Sequence, residues 1–82
     1  TNNAETNALK EEVIKIVKGI DNRFTIHDFR VVYGQNHTNV LFDIAIPFDT
    51  EIKKREIAVL VKEKISLLNE KYVAVITVEY CI

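Results

Sequence analysis

Residues 40–46 alternate between two kinds of side chain, and this run requires a fold that contains a half-buried strand. The even-numbered residues are all apolar and are predicted to face the core: Val40, Phe42, Ile44 and Ile46. The other parity is mixed and predicts the outer face: Leu41, Asp43 and Ala45. Pro47 ends the strand, because proline cannot donate a hydrogen bond to a neighbouring strand.

Two segments on either side of this strand carry apolar residues at helical spacing. The first stripe consists of Leu9, Val13, Ile16, Val17 and Ile20, after a polar start from Thr1 to Asn7. The second consists of Ile57, Leu60, Val61, Ile65 and Leu68. Gly19, Asp21 and Asn22 predict the end of the first helix, and Asp49 or Thr50 is the predicted N-cap of the second.

Two further segments are typical of strands. The first, from Phe24 to Tyr33, is rich in β-branched and aromatic residues and is followed by a predicted turn at 34–37. In the second, from Val73 to Tyr80, two parities alternate: Ile76, Val78 and Tyr80 against Val75, Thr77 and Glu79.

The element order α-β-β-α-β predicts an α+β fold of two layers, with two helices on one face of a three-stranded antiparallel sheet. This is a ferredoxin-like sandwich that lacks its leading strand. A right-handed helical crossover would join the second and third strands if they lie parallel. The other sheet face is predicted to stay open, and its apolar residues favour a partner or a ligand there.

The chain has 82 residues, so residues 1–82 are predicted to form a single domain with a small core. Cys81 is the sole cysteine, so no internal disulfide can support this core. A metal or a second subunit is the remaining source of support. The net charge of −1 gives no reason to expect nucleic acid as a partner.

No apolar run approaches the ~20 residues that span a bilayer. The sequence opens with Thr1 and contains no methionine. The chain is therefore either processed or a piece of a longer polypeptide, and we favour the second.

Patterns of catalysis are missing from the sequence, which predicts that the protein is not an enzyme. The single serine, Ser66, lies in the second predicted helix, and two glycines cannot form a phosphate-binding loop. Cys81 with a histidine could form a nucleophile pair, but a terminal cysteine rarely has the fixed setting that this role needs.

Asp43 interrupts an otherwise apolar strand, and Glu79 has the same facing by parity. Carboxylates in strands are costly unless they are solvated or paired. Asp43 is therefore either a solvent-facing residue, or a metal ligand or charged interface group. His27 is interpreted as a polar residue at the strand edge, and His37 as a solvated turn residue.

The segment "IHDFRVVYG", followed by "VLFDIAIPFDTEIKKREIAVLVKEKI" and "VAVITVEY", resembles the C-terminal domain of cation diffusion facilitators. These membrane transporters exchange divalent metal ions for protons. The similarity extends from Ile26 to Tyr80, and more loosely over the first helix.

The resemblance implies metal ligands at His27, Asp43, Glu56 and Glu79, with Arg55 as a one-residue alternative to Glu56. At Asp43 and Glu56 the family has histidine, and at Glu79 it has aspartate. Thr77 replaces a further histidine and is a poor ligand. One imidazole with carboxylates suits manganese or ferrous iron, or weaker zinc binding. The alternative is a vestigial site without metal, in which these carboxylates are interface groups.

The resemblance further implies a homodimer on the cytoplasmic face of the cell membrane, attached to the transmembrane domain of the same polypeptide. Its implied role is regulatory and structural. One alternative is a free-standing ferredoxin-like module that binds a metal or another ligand, although a metallochaperone needs a cysteine pair. An enzyme of the acylphosphatase type would need a leading strand and an arginine-bearing loop, neither of which is visible.

Overall fold

The computed structural model describes residues 3–81. The elements follow the predicted order: α1 (Asn3–Ile20), β1 (Thr25–Tyr33), β2 (Thr38–Ile46), α2 (Lys54–Leu68) and β3 (Tyr72–Tyr80). Thr1 and Asn2, from the predicted polar start, lie outside the described residues, and the rest of the polar start, residues 3–7, belongs to α1.

The sheet has the strand order β1-β2-β3. β1 pairs antiparallel with β2, whereas β3 pairs parallel with β2, so the sheet is mixed rather than purely antiparallel. The parallel pairing follows from α2, which returns the chain to the starting end of β2 before β3 begins. The two-layer α+β architecture is confirmed.

The predicted facing of β2 is confirmed. Phe42 is 2% exposed, and its neighbours of the same parity are buried with it. These residues pack against both helices in one core cluster, which includes Leu9, Val13, Val17, Ile57, Val61 and Ile65. The opposite parity faces away from the helices.

The buried stripe of α2 is narrower than predicted. Ile57, Val61 and Ile65 are fully buried, but Leu60 and Leu68 are 40% and 43% exposed. A sheet of three strands is narrow, so a helix on it buries its central row and leaves the flanking residues near solvent.

The predicted N-cap of α2 is wrong. The helix begins at Lys54, and its N-cap residue, Lys53, makes no side-chain capping hydrogen bond. The Asp49 carboxylate accepts instead from Arg23 Nη1 at 2.9 Å, and the Thr50 amide donates to the Pro47 carbonyl in a turn. The Asp49 side chain is thus engaged before the helix starts, whereas the buried Thr50 Oγ1 has no hydrogen-bond partner among the described residues and caps nothing.

Side chains at the end of the sheet hold the first turn of α2. The rings of Phe48 and Tyr80 stack with centroids 4.8 Å apart, and Lys54 Nζ lies 4.1 Å from the centre of the Tyr80 ring. Beside them the Cys81 amide donates to the Ile46 carbonyl at 2.8 Å. The start of α2 is therefore fixed to the end of β3.

The turn between β1 and β2 lies at 34–37, as predicted. A Cβ atom at Gly34 would overlap with the carbonyl oxygen of His37. The close approach of the two strand ends therefore requires glycine at this position.

Candidate functional site

The side of the sheet that the helices leave uncovered is called the open face here. Paired residues in a sheet share a face, so the strand register gives its composition. β1 contributes Thr25, His27, Arg30 and Val32; β2 contributes Asn39, Leu41, Asp43 and Ala45; β3 contributes Val73, Val75, Thr77 and Glu79.

One row of the open face crosses all three strands at the positions implied for metal binding. His27 pairs with Asp43 across the antiparallel strands, and Asp43 pairs with Thr77 across the parallel ones. His27 and Thr77 are exposed, whereas Asp43 is half-buried in the central strand. Residues far apart in the sequence thus form a continuous line of polar groups.

The imidazole of His27 has a neighbour that orients it. Its Nε2 atom lies 3.1 Å from Thr25 Oγ1, two residues earlier on the same strand. This contact ties the ring to the strand and to its place beside Asp43. A ring held in this way loses less rotational freedom on binding a ligand.

Glu79 also lies on the open face, because it pairs with Ala45 two residues beyond Asp43. Its carboxylate therefore belongs to the row next to His27, Asp43 and Thr77. The prediction from parity that Asp43 and Glu79 share a face agrees with this register.

Glu56 is placed differently. It is exposed in the first turn of α2, in the helical layer, so the sheet separates its layer from the open face. Within residues 3–81, no three His, Cys, Asp or Glu side chains come close enough to hold a metal ion together. One copy of the chain supplies the His27–Asp43 pair and leaves Glu56 apart from it.

The donor set of this row fits a divalent cation of intermediate to hard character. It offers an imidazole nitrogen and carboxylate oxygens, which suit manganese, ferrous iron and zinc. Thr77 adds only a neutral hydroxyl.

The open face divides into a polar half and an apolar half. The polar half contains His27, Asp43, Thr77 and Glu79. In the apolar half Val32 and Val75 are 55% and 50% exposed, with Leu41 and Val73 half-buried beside them. Two polar residues, Arg30 and Asn39, complete these rows. Exposed apolar side chains that cluster on a flat surface are typical of a protein contact.

One groove of about 280 Å³ lies between α1 and β1, and Lys10 and Lys18 are among its lining residues. Lys18 already donates to the carbonyl oxygens of Asn22 and Phe24. This groove adds nothing to the polar row.

Asp28 is the feature of the site that sequence reasoning missed. Its φ is 55°, and the pairing of β1 with β2 shifts between His27 and Arg30. The available signal was a change of apolar parity within β1, from Ile26 to Phe29 and Val31.

Neither helix within residues 3–81 is long and apolar enough to cross a membrane.

No protein-family model matches the sequence, and no curated protein sequence matches it significantly. Solved structures match the fold. One is a structure of the zinc transporter CzrB, which is 14% identical, with a TM-score of 0.84 over 100% of this chain and 99% of that chain. Its zinc form is 15% identical, with a TM-score of 0.80 over 98% and 89% of the two chains.

A third match is the metal-bound C-terminal domain of the CzcD transporter from Thermotoga maritima. It is 15% identical, with a TM-score of 0.78 over 98% of this chain and 94% of that chain. The similarity thus extends over nearly all of both molecules and is not confined to a shared motif. The chain has the fold of this metal-bound transporter domain.

Proposed function

We propose that this chain is the cytosolic regulatory and dimerisation domain of a cation diffusion facilitator, attached to the transmembrane part of the same polypeptide. The support is a fold shared with transporter domains over nearly the whole chain, together with the His-Asp-Phe-Arg start of β1. The proposed role is binding, with no catalytic activity.

The proposed dimer contact is the open face. Its apolar half exposes Val32 and Val75 to solvent in a single copy, and a facing copy would remove these surfaces from water. A small domain with one core gains stability from such a partner. Two copies related by a two-fold axis would present the same residues to each other.

The proposed metal site is the polar half of the same face. His27 and Asp43 supply one nitrogen and one carboxylate per copy, with Glu79 in the next row. A facing copy would bring a second His27–Asp43 pair, which raises the number of donors toward the four or more that divalent metals take. Glu56 lies in the helical layer, on the other side of the sheet, so as a metal ligand it would have to act away from the His27–Asp43 pair.

The regulation follows from charge. Asp43 and Glu79 from two facing copies would repel each other at neutral pH. A bound divalent cation would offset this repulsion and so favour the closed pair. A ligand with higher affinity for the closed pair shifts the equilibrium toward it, and linkage carries that shift to the attached membrane part.

The observation that carries this proposal is the direct pairing of His27 with Asp43 on the open face of a fold that binds metal in a transporter. We expect the double variant Asp43→Ala/Glu79→Ala to lose zinc and manganese binding in isothermal titration calorimetry. Its far-UV circular dichroism should match the parent, because neither side chain lies in the core.

The matched control is Glu51→Ala/Glu70→Ala, which removes the same two charges from exposed positions outside the sheet. This control should bind both metals as the parent does. Parental affinity in the Asp43→Ala/Glu79→Ala variant would rule out the proposed site.

A further inference from the structure

Asp28 has a backbone conformation that few residues adopt. It is the one non-glycine residue with positive φ among residues 3–81, at 55°. It sits where the register of β1 shifts: His27 pairs with Asp43 and Arg30 with Leu41, so Asp28 and Phe29 together oppose Phe42. Two residues opposite one define a β-bulge, here of the class whose first residue is left-handed.

The bulge decides which way His27 faces. In a regular strand, residues two apart share a face, so His27 would lie on the same side as Phe29 and Val31. Both of these pack against the core, and the Phe29 ring centroid lies 6.0 Å from that of Phe42. Without the extra residue, burial of Phe29 and Val31 would turn His27 toward the helices.

The identity of residue 28 suits this conformation. Left-handed backbone is easy for glycine, tolerable for asparagine and aspartate, and strained for alanine and still more for β-branched residues. Arg30 adds support, because its Nη1 donates to the carbonyl oxygen of Asp28 at 3.1 Å.

We infer that Asp28 is a positioning residue for the metal site and acts through its left-handed backbone, not through its carboxylate. It holds His27 on the open face, opposite Asp43. The metal part of this inference rests on the proposed function, whereas the placement of His27 can be measured without metal.

The test compares four substitutions at position 28. Asp28→Asn and Asp28→Gly keep access to left-handed backbone but remove the carboxylate, whereas Asp28→Ala and Asp28→Val disfavour that conformation. Gln35→Val is the control, since it places valine at an exposed position in the turn between β1 and β2, outside the open face.

Two measurements are made on each variant. The first is the cross-strand NOE between backbone protons of His27 and Asp43 in metal-free protein, and the second is calorimetric titration with zinc chloride. We expect the asparagine, glycine and control variants to keep the NOE and the parental affinity. The alanine and valine variants should lose the NOE and bind zinc roughly tenfold more weakly or worse, as is typical when a ligand loses its support.

Three results would overturn the inference. The first is that Asp28→Val keeps both the NOE and the parental zinc affinity. The second is that Asp28→Asn and Asp28→Gly weaken zinc binding as much as Asp28→Val does, which would mean that the carboxylate of Asp28 is the active group. Failure of both the alanine and valine variants to fold would make the bulge a requirement for folding instead.

The two proposals can fail separately. If the parent binds neither zinc nor manganese, the metal site under the proposed function is wrong, and the NOE series alone decides the role of Asp28.

Discussion

Arg23 joins two loops through its guanidinium group. Its Nη2 lies 2.9 Å from Asp21 Oδ2 in the α1–β1 loop, and its Nη1 lies 2.9 Å from Asp49 Oδ1 in the β2–α2 loop. The hydrogen bonds from the side chain and backbone of Arg23 lower the pKa of Asp21 below its ordinary value of 3.8. A carboxylate with a lowered pKa stabilises the fold above its unfolded pKa, and this contribution is lost as the pH falls through the folded value.

We therefore expect Arg23→Ala to lower the melting temperature at pH 7 and to lower it less at pH 3. The reason is that below pH 3.8 the Asp21 carboxyl of the unfolded chain takes up a proton that the Arg23 contact disfavours in the folded parent, so the stabilisation by this contact declines. Thermal unfolding of both proteins between pH 3 and pH 7 gives the comparison. Lys15→Ala serves as control, because its contact with Glu12 at 3.4 Å is exposed and should contribute little at either pH. An equal difference at both pH values would contradict this account.

The sequence alone predicts the sheet face of some site residues but not of others. Asp43 and Glu79 could be assigned to one face, because each lies in a strand that alternates without interruption. His27 could not be assigned to a face of the sheet from the sequence. The bulge at Asp28 reverses the alternation of faces within β1, and this bulge depends on the backbone conformation of one residue. The implied Glu56 ligand came from family spacing, which says nothing of the layer in which a helix lies.

At the scale of elements, β2 is the central strand, and its buried side chains form much of the core on the helical side of the sheet. We expect Phe42→Ala to lower the free energy of unfolding by about 3–5 kcal/mol, because a fully buried ring leaves a cavity. Phe48→Ala removes the same atoms from a side chain that is 72% exposed and should cost about 0.5–1.5 kcal/mol through lost stacking on Tyr80. Urea denaturation measures both. Equal costs would mean that the facing of β2 is wrong.

The helices show what local pattern can and cannot predict. The stripe of α1 was predicted correctly, since Leu9, Val13 and Val17 are buried and its flanking isoleucines pack against the core. The start of α2 was not predicted correctly. The Asp49 carboxylate bonds to Arg23 in a distant loop instead of capping the helix. Tertiary contacts of this kind leave no periodic signal in the sequence.

At the scale of the whole molecule, the two faces of the sheet have separate roles in this account. One face, covered by α1 and α2, forms the core; the other presents an apolar half beside a His–Asp pair. The layer order was predictable from periodicity alone. Periodicity within single segments does not give the parallel pairing of β3 with β2, which follows from the crossover through α2.

The central claim is that metal binding on the open face draws two copies together. Sedimentation velocity of the chain, titrated with zinc or manganese and then with chelator, tests it most directly. We expect a monomer–dimer shift that metal drives and chelator reverses. The shift should be lost in His27→Ala but kept in His37→Ala, which changes an exposed turn histidine. A chain that sediments as a monomer at every metal concentration would contradict the account.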